Sequence, residues 1–254
     1  MILAVDVGNT HTVLGLFDAE GLGSHWRVSS NPDLTADELR VKVAGLLAAD
    51  GHAWSDIERV VLCSVVPRLT SAYEEIAERA CGCAPMVVGP GLKTGVTIRY
   101  DNPHEVGADR IVNAVAAFEG YGGPVVVVDF GTATTIDVID AEGAYLGGAI
   151  APGVETSAEA LFAKAARLSK VDLEAPPRVI GTNTRASVQA GLLLGEAVMV
   201  DGLVRRVWAE LGTETPVIAT GGLAESMAPL CETITAVEPD LTLEGLMLVY
   251  RRNA

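Results

Sequence analysis

Two short segments place an aspartate two residues before a glycine, and each directly follows an apolar run. They are Asp6-Val7-Gly8 and Asp129-Phe130-Gly131. A glycine at this point allows the backbone to approach an anionic ligand, and successive N–H groups in such a turn can bind phosphate oxygens. An ionised aspartate cannot donate to phosphate, so it is suited to hold a cation or its water shell. The pair of segments therefore predicts a clamp for a polyphosphate and its metal.

A third glycine-containing segment, Thr220-Gly221-Gly222, follows a predicted strand. Its surface lacks side chains, so a nucleoside could lie flat against it. One Asp-x-Gly segment alone is usually a plain tight turn, but two of them together with a Thr-Gly-Gly turn favour nucleotide binding. Neutral hydrogen-bond donors close to the two Asp-x-Gly segments are Asn9, Thr10, Thr12, Thr132 and Thr134.

The segment from Tyr100 to Arg110 carries residues suited to substrate chemistry. Asn102-Pro103 predicts a turn and a helix start, which puts the last four residues about one turn into that helix. Two small residues, Gly107-Ala108, would thin the helix surface for a ligand. Asp109 could accept the proton of an attacking hydroxyl, and Arg110 could bind a carboxylate through two hydrogen bonds. The alternative is a solvated Asp–Arg pair.

These turns belong to an internal repeat. Each Asp-x-Gly segment leads into a β-branched stretch, and both stretches end in the tetrapeptide Asp-Ala-Glu-Gly, at 18–21 and at 140–143. The offset is 123 positions for the aspartates (6 to 129) and 122 for the tetrapeptides (18 to 140). Each copy predicts a meander of three strands with helices after it. The chain is therefore predicted to form two similar α/β domains, residues 1–118 and 119–254, which face each other across a cleft.

Hydrophobic periodicity and capping residues predict the elements that follow each meander. Thr35-Ala36-Asp37-Glu38 is a capping box at the start of the first helix. The predicted helices are 35–49, 68–79, 105–119, 154–168, 183–211 and 241–252, and the predicted strands are 59–66, 86–88 and 217–219. The helix 183–211 has more apolar positions than one domain face readily covers, which indicates either an association surface or a helix internal to the second domain.

Composition excludes several functional classes. The chain has 254 residues, of which 49% are hydrophobic and 20% charged, as expected of a folded globular protein. The net charge of −15 argues against a nucleic-acid partner. No apolar run reaches the roughly 18 residues that a membrane span needs, and no signal peptide is visible, so we expect a cytoplasmic protein. Motifs of P-loop enzymes, dinucleotide-binding proteins and serine hydrolases are absent.

Taken in order along the chain, these segments resemble the type III pantothenate kinase family. The match covers nearly the whole chain, in the segments 6–10, 107–110, 129–135, 147–153, 183–184, 220–224 and 240–246. One position departs from the family pattern, because relatives often have lysine where Thr182 stands. The resemblance implies a member of the acetate and sugar kinase, heat-shock chaperone and actin superfamily. It also implies two duplicated ribonuclease-H-like (actin-like) α/β domains.

The resemblance further implies the phosphorylation of pantothenate by ATP, the first step toward coenzyme A. The family works as a homodimer with Mg²⁺ and a monovalent cation, K⁺ or NH₄⁺. Carried onto this sequence, Asp109 is the base, Asp129 binds the monovalent cation, and Asp6 holds Mg²⁺ through water. The implied ATP-binding residues are Asp6, Val7, Gly8, Asn9, Thr10, His11, Thr12, Val13, Gly131, Thr132, Gly221 and Gly222; the implied pantothenate-binding residues are Tyr100, Gly107, Ala108, Asp109, Arg110 and Thr184, the last from either subunit.

Three other functions stay open at this point. One is another small-molecule kinase of the same superfamily, acting on acetate or a sugar; those chains are generally longer than 254 residues. Another is an accessory transcription regulator, as the resemblance implies for some relatives, but the net charge of −15 argues against direct DNA contact. The third is a nucleotide-binding regulator without catalytic activity. The segment Gly107 to Arg110 argues against a regulator, because a switch needs neither a general base nor a carboxylate clamp.

Overall fold

Both predicted meanders are present, each as the start of a five-stranded sheet. The computed structural model describes residues 1–165 and 170–254. Its strands are β1 Ile2–Val7, β2 His11–Phe17, β3 Leu22–Ser29, β4 Arg59–Ser64, β5 Met86–Val87, β6 Val125–Phe130, β7 Ala133–Ile139, β8 Tyr145–Pro152, β9 Val217–Thr220 and β10 Ala236–Val237. Its α-helices are α1 Ala36–Ala49, α2 Pro67–Cys81, α3 Ala108–Tyr121, α4 Val154–Lys164, α5 Thr184–Gln189, α6 Gly195–Leu211, α7 Ala224–Met227 and α8 Leu241–Asn253.

The two sheets have the same topology. One has the strand order β3-β2-β1-β4-β5 and the other β10-β9-β6-β7-β8. In each, the first three strands pair antiparallel, and the first strand pairs parallel with the strand that follows the meander. Because β1 and β6 are central strands covered on both faces, they are near-continuous apolar runs. The duplicated, ribonuclease-H-like α/β fold is thus confirmed.

The chain divides into two units, but not at one point. The first unit comprises residues 1–96, 101–116 and 241–254, and the second comprises 97–100 and 117–240. The C-terminal helix α8 therefore belongs to the first unit, whereas the sequence analysis had assigned 241–254 to the second. The reason is its packing: the Thr242 hydroxyl donates to Asn113 Oδ1 on α3 at 2.7 Å, and Gly245 leaves no room for a side chain beside the carbonyl of Val112.

Each unit has its own hydrophobic core. In the first, side chains of β1, β2 and β4 pack against α1 and α2, with Leu3, Leu14 and Leu62 fully or almost fully buried. In the second, β6 and β7 pack against α6 and α7, and Val126 and Val200 are fully buried. Strands β1, β4 and β6 are buried along most of their length, as central strands covered on both faces require.

The helix predicted over 183–211 is present, with the side chain of Asn183 capping its first turn. Between α5 and α6 the residues Ala190–Leu194 form a π-helical segment that the periodicity did not predict. By length and composition this helix, Thr184–Leu211, is apolar enough to cross a membrane, and half of its most apolar window is buried. The same helix supplies several core side chains of the second unit, as a core helix does.

The expected excess of apolar surface on this helix is wrong for most positions. Val188 and Leu193 are buried, and Leu192, Met199 and Leu203 are partly buried in the second core. Val198 is the exception, with 71% of its surface exposed. The helix is therefore mainly internal, since one of its faces packs against β6 and β7.

Several element boundaries differ from the prediction. The helix predicted from residue 105 begins at Ala108, because Asn102 instead caps a separate 3₁₀ turn, Pro103–Glu105. Helix α4 ends at Lys164, and the rest of the predicted helix 154–168 lies mostly outside the described residues. The short elements α7 and β10 had no sequence signal, because two to four residues are too few to show a period.

Candidate active site

The first glycine turn, residues 8–10 (turn 1), joins β1 to β2. The Gly8 amide donates to the carbonyl of His11 at 3.0 Å, and a Cβ on Gly8 would lie 2.9 Å from the same oxygen. Asn9 and Thr10 are exposed at the tip, while Thr12 is buried at the start of β2. Turn 1 therefore needs glycine at position 8 and presents its polar tip to solvent.

A serine that the sequence analysis missed holds turn 1 in place. The Ser30 hydroxyl donates to the carbonyl of Gly8 at 2.7 Å, and the Ser30 amide donates to the carbonyl of Thr10 at 2.8 Å. Because that hydroxyl proton is used, Thr12 Oγ1 is the donor in its 2.8 Å contact with Ser30 Oγ. A single serine after a strand carries no signal that could have revealed this role.

The second glycine turn, residues 131–132 (turn 2), joins β6 to β7. The Gly131 amide donates to the carbonyl of Ala133 at 3.1 Å, as in turn 1. The carbonyl of Thr132 accepts from the Gly153 amide at 3.0 Å and from the Thr156 hydroxyl at 2.7 Å. A Cβ on Gly153 would overlap the Gly131 carbonyl and lie 2.9 Å from the Thr132 carbonyl. The start of α4 is thus packed directly onto turn 2.

The Thr-Gly-Gly turn lies beside Asp129, at the end of β6. Thr220 is opposite Asp129 in the parallel pairing of β6 and β9. Gly221 has φ +92°, and a Cβ there would overlap Asp129 Oδ1 and lie 2.7 Å from the carbonyl of Phe130. That carbonyl accepts from the Leu223 amide at 3.2 Å. The structure therefore brings Asp129, turn 2 and Gly221 together within the second unit.

Asp109 lies in the first turn of α3, nearer the helix start than the sequence analysis had placed it. Its Oδ1 accepts from the Arg110 amide at 2.8 Å, which fixes the direction of the carboxylate. A Cβ on Gly107 would overlap this oxygen, so the glycine makes room for Asp109 itself. The Arg110 side chain is 8% exposed. The structure thus gives a reason for glycine at position 107: the space is needed for the Asp109 carboxylate.

Asp109 and Asp6 lie close to the same buried thiol. Cys63 on β4 is the register partner of Asp6 on β1 and is fully buried. Burial first, and then the negative charges of Asp6 and Asp109, raise the pKa of the Cys63 thiol well above its ordinary value. The thiol is therefore protonated and inert. The charges of both Asp6 and Asp109 therefore act on the same residue of β4.

Thr184 is the first residue of α5 and lines an open groove of about 810 Å³ in the second unit. The Asn183 side chain accepts from the Ala186 amide at 2.9 Å, and the Ser187 hydroxyl donates to the carbonyl of Gly181 at 3.4 Å. Thr182, the position that departs from the family pattern, lines the same groove. The apolar part of the lining is Leu161, Val188 and Leu192.

Tyr100 lies in the second unit, where its ring packs on Tyr145 with centroids 6.3 Å apart. The predicted site residues are thus grouped as follows. Asp6 to Val13 and Gly107 to Arg110 are in the first unit, and Tyr100, Asp129, Gly131, Thr132, Thr184, Gly221 and Gly222 are in the second. Gly153 and Thr156 were not predicted as site residues, although Gly153 belongs to the segment 147–153 that carries the family pattern.

Two ribonuclease-H-like domains, each with a glycine turn after its first strand, define the actin-like fold. Solved structures share this fold. Component A of (R)-2-hydroxyglutaryl-CoA dehydratase from Acidaminococcus fermentans has a TM-score of 0.60 at 16% identity, covering 100% of this chain and 99% of that one. The activator of 2-hydroxyisocaproyl-CoA dehydratase from Clostridium difficile, with bound ADPNP, has a TM-score of 0.55 at 15% identity, covering 99% and 94%.

Sequence comparison identifies the family within this class. The family model for type III pantothenate kinase matches residues 2–206. The type III pantothenate kinase of Moorella thermoacetica is 53% identical over 253 residues, covering 100% of both chains, and that of Thermomicrobium roseum is 50% identical over 252 residues, covering 99% and 97%. The chain belongs to the type III pantothenate kinase family. It is therefore an enzyme, a kinase, and the resemblance seen in the motifs is confirmed.

Proposed function

We propose that the chain transfers the γ-phosphoryl group of ATP to the hydroxyl of pantothenate, giving 4'-phosphopantothenate, the first step toward coenzyme A. The observation that carries this proposal is the position of Asp109. Its carboxylate is fixed by the Arg110 amide and lies near the same buried thiol as Asp6, which precedes turn 1. A proton acceptor is thus held near a phosphate-type turn, and the family membership supplies the substrate.

Nucleotide binding is assigned to the backbone of the two turns. The Gly8 and Gly131 amides bond within their own turns, so phosphate binding is assigned to the amides that follow them in turn 1 and turn 2. Gly221 and Gly222 leave a flat surface for the nucleoside. The low lysine count agrees with phosphate neutralisation by metal and backbone rather than by side-chain ammonium groups. The proposed ATP-binding residues are Asp6, Val7, Gly8, Asn9, Thr10, His11, Thr12, Val13, Gly131, Thr132, Gly221 and Gly222.

The carboxylates present fit a Mg²⁺ ion carried by ATP. Among residues 1–165 and 170–254, no group of three or more His, Cys, Asp or Glu side chains could hold a metal ion. Mg²⁺ in phosphoryl-transfer sites is commonly bound by one or two carboxylates, with water and phosphate as the other ligands. Asp6, half-buried at the end of β1, suits contact through water. When bound, the ion neutralises charge on the phosphates.

Asp129 is proposed to bind the monovalent cation, K⁺ or NH₄⁺. It is a half-buried carboxylate at the end of an apolar strand, and its Oδ1 lies beside Gly221, where a Cβ would overlap it. A buried or half-buried charge is stabilised by a counter-ion. Turnover should therefore depend on KCl or NH₄Cl. Equal rates in NaCl at matched ionic strength would remove this role from Asp129.

In the proposed mechanism, Asp109 accepts the proton of the pantothenate hydroxyl as that oxygen attacks the γ-phosphorus. The Arg110 amide holds Oδ1, so the carboxylate does not need to reorient during the reaction. Phosphoryl transfer makes few covalent demands on the protein, so positioning and charge neutralisation carry most of the catalysis. Pantothenate binding is assigned to Tyr100, Gly107, Ala108, Asp109, Arg110 and Thr184.

We also propose a homodimer in which Thr184 completes the site of the partner subunit. Large exposed apolar side chains of the second unit support an association surface; they include Ile150, Leu161, Val179, Ile180 and Val198. A sedimentation experiment at micromolar concentration should give a species near twice 26.4 kDa. Mixing Asp109→Asn with Thr184→Ala subunits should then restore activity. A monomer, or a dimer without complementation, would contradict a shared site.

We place the enzyme in the cytoplasm, with pantothenate and ATP as its partners and without a nucleic acid or a membrane. The net charge of −15 and the substrates of the family support this placement. The decisive experiment is ADP release with ATP alone and with pantothenate, acetate or sugars added. Release that requires pantothenate supports the proposal. Release stimulated by another acceptor instead would favour a different kinase of the superfamily.

A further inference from the structure

A buried polar pair, formed by Asp137 and Tyr145, lies next to the ring of Tyr100. Tyr145 on β8 packs on this ring, with the two ring planes 48° apart. The Tyr145 hydroxyl donates to Asp137 Oδ1 at 2.7 Å, and the Thr135 hydroxyl donates to Asp137 Oδ2 at 2.8 Å. Both Asp137 and Tyr145 have 0% of their surface exposed. A carboxylate at this depth is costly unless hydrogen bonds satisfy it, so the pair is held in one arrangement.

The backbone around Tyr100 is hydrogen-bonded to Tyr145 at the start of β8. The Tyr145 amide donates to the carbonyl of Thr97 at 2.8 Å, and the Tyr145 carbonyl accepts from the Arg99 amide at 2.8 Å. One residue before Tyr100, the guanidinium of Arg99 is 2.7 Å from the carboxylate of Asp140. Residue 145 therefore contributes both its main chain and its side chain to the placement of Tyr100.

Gly147 completes the support of the ring. It has φ +114°, and a Cβ at this position would lie 3.1 and 3.2 Å from two ring atoms of Tyr100. These distances are shorter than an ordinary van der Waals contact, so a side chain at residue 147 would displace the Tyr100 ring. The ring of Tyr100 thus rests against Tyr145 and against the bare backbone of Gly147.

We infer that the buried Asp137–Tyr145 pair is a positioning device that fixes the Tyr100 ring for substrate binding. The inference rests on the proposed function, in which Tyr100 contacts pantothenate. Asp137 and Tyr145 act through Tyr100 and touch no reacting atom themselves. The contacts described above are made by residues outside turn 1, turn 2 and Asp109. A disturbed pair should therefore weaken the affinity for the phosphoryl acceptor and leave ATP binding and the chemical step unchanged.

The test is Tyr145→Phe in the full-length chain, with KM measured separately for pantothenate and for ATP. Loss of a hydrogen bond to a charged group predicts a rise of about 5- to 20-fold in KM for pantothenate. The KM for ATP and kcat should stay within about twofold. Tyr73→Phe is the matched control, because the Tyr73 hydroxyl is buried without a hydrogen-bond partner in the first unit. It should change neither constant.

A double variant separates positioning from a general loss of stability. In a Tyr100→Ala background, Tyr145→Phe should add nothing further to KM for pantothenate, since the ring to be positioned is gone. If Tyr145→Phe fails to fold, Asp137→Asn takes its place: it keeps a neutral acceptor for the hydroxyl, and its rise in KM for pantothenate should be smaller.

The outcomes are distinguishable. A parent chain that releases no ADP in response to pantothenate overturns the proposed function, and the inference with it. An active parent whose variants change both KM values equally, or change neither, overturns the inference alone. Additive effects of Tyr100→Ala and Tyr145→Phe would also contradict it.

Discussion

Turn 1 and turn 2 occupy equivalent places in the two sheets, yet different groups hold them. In both, the amide of the glycine donates to a carbonyl at the start of the next strand. Turn 1 is then held by the side chain and the amide of Ser30. Turn 2 is held by the start of α4, through the Gly153 amide and the Thr156 hydroxyl, and Gly221 packs on the strand end just before it. Duplication has thus preserved the backbone path while the supporting contacts have diverged.

This difference indicates which substitutions should disturb each turn. Besides needing glycine at position 8, turn 1 depends on the Ser30 hydroxyl, which a single substitution can remove. Turn 2 depends on positions where no side chain fits, so almost any substitution there adds atoms in an occupied space. The first half also carries Asp109, the group proposed to do the proton chemistry. Substitution of Asp109 should therefore affect catalysis, whereas substitutions that disturb turn 1 or turn 2 should affect nucleotide binding.

The largest effect is expected for Asp109→Asn. The amide cannot accept the proton, so kcat should fall by about 10²- to 10⁴-fold, while ATP affinity measured by calorimetry should remain. Asp101→Asn makes the same change at an exposed position just outside α3 and should be nearly silent. An Asp109→Asn enzyme that retained a third of its activity would exclude Asp109 as the base.

Gly221→Ala should have the next largest effect and should act on nucleotide binding. Its Cβ would overlap Asp129 Oδ1, and φ +92° is strained for alanine. We expect KM for ATP to rise at least about tenfold, equivalent to about 1.4 kcal/mol. Gly212→Ala is the matched control, because Gly212 has φ +75° at the end of α6 with no atom within 4 Å of its added Cβ. That variant should lose stability but keep its KM for ATP.

Ser30→Ala tests the support of turn 1 and should be milder. It removes the hydrogen bonds to Gly8 and to Thr12, so KM for ATP should rise by roughly 3- to 10-fold. Ser29→Ala is the same change one residue earlier, at an exposed side chain, and should be neutral. Thr156→Val should weaken turn 2 less than Ser30→Ala weakens turn 1, because the Gly153 amide still binds the Thr132 carbonyl. A larger effect of Thr156→Val than of Ser30→Ala would contradict the proposed difference between the supports of the two turns.

The sequence predicted the repeated three-strand meanders and the turns that need glycine. The repeated Asp-x-Gly segment with its Asp-Ala-Glu-Gly tetrapeptide predicted both meanders, and the capping box at Thr35 and Glu38 predicted the start of α1. The grouping of turn 2 with Gly221 also follows from local signals, because glycine is needed wherever backbones approach closely.

Other features depend on tertiary packing and had no local signal. The role of Ser30 arises because β3 ends beside turn 1, which no spacing in the sequence reveals. The C-terminal helix returns to the first unit because Gly245 fits against α3, a contact between residues far apart in the chain. Nothing in the sequence distinguishes Asp137 and Tyr145 from other strand residues, because their proposed role depends on the packing of Tyr100 on Tyr145.

The smallest effect is expected on stability, from the buried carboxyl group of Glu196 beside β7 in the second unit. Glu196 on α6 is 8% exposed, and its Oε1 has no hydrogen-bond partner within the described residues. Burial raises the pKa of Glu196, and the hydroxyl of Thr134 only partly opposes this shift. Cys231 and Asp201, which interact electrostatically in the same region, add no positive charge.

The raised pKa gives the sign of the stability change. A carboxyl that holds its proton more tightly in the folded protein stabilises the fold at low pH, and this contribution is lost as the pH rises through the raised pKa. Glu196→Gln removes the ionisation, so its melting temperature should exceed that of the parent at pH 8 by on the order of a few degrees. The advantage should shrink as the pH is lowered through the raised pKa, because the parent carboxyl then takes up its proton in the folded protein. Glu210→Gln, exposed on the same helix, should show no such pH dependence. A constant difference at all pH values would mean that Glu196 acts through packing alone.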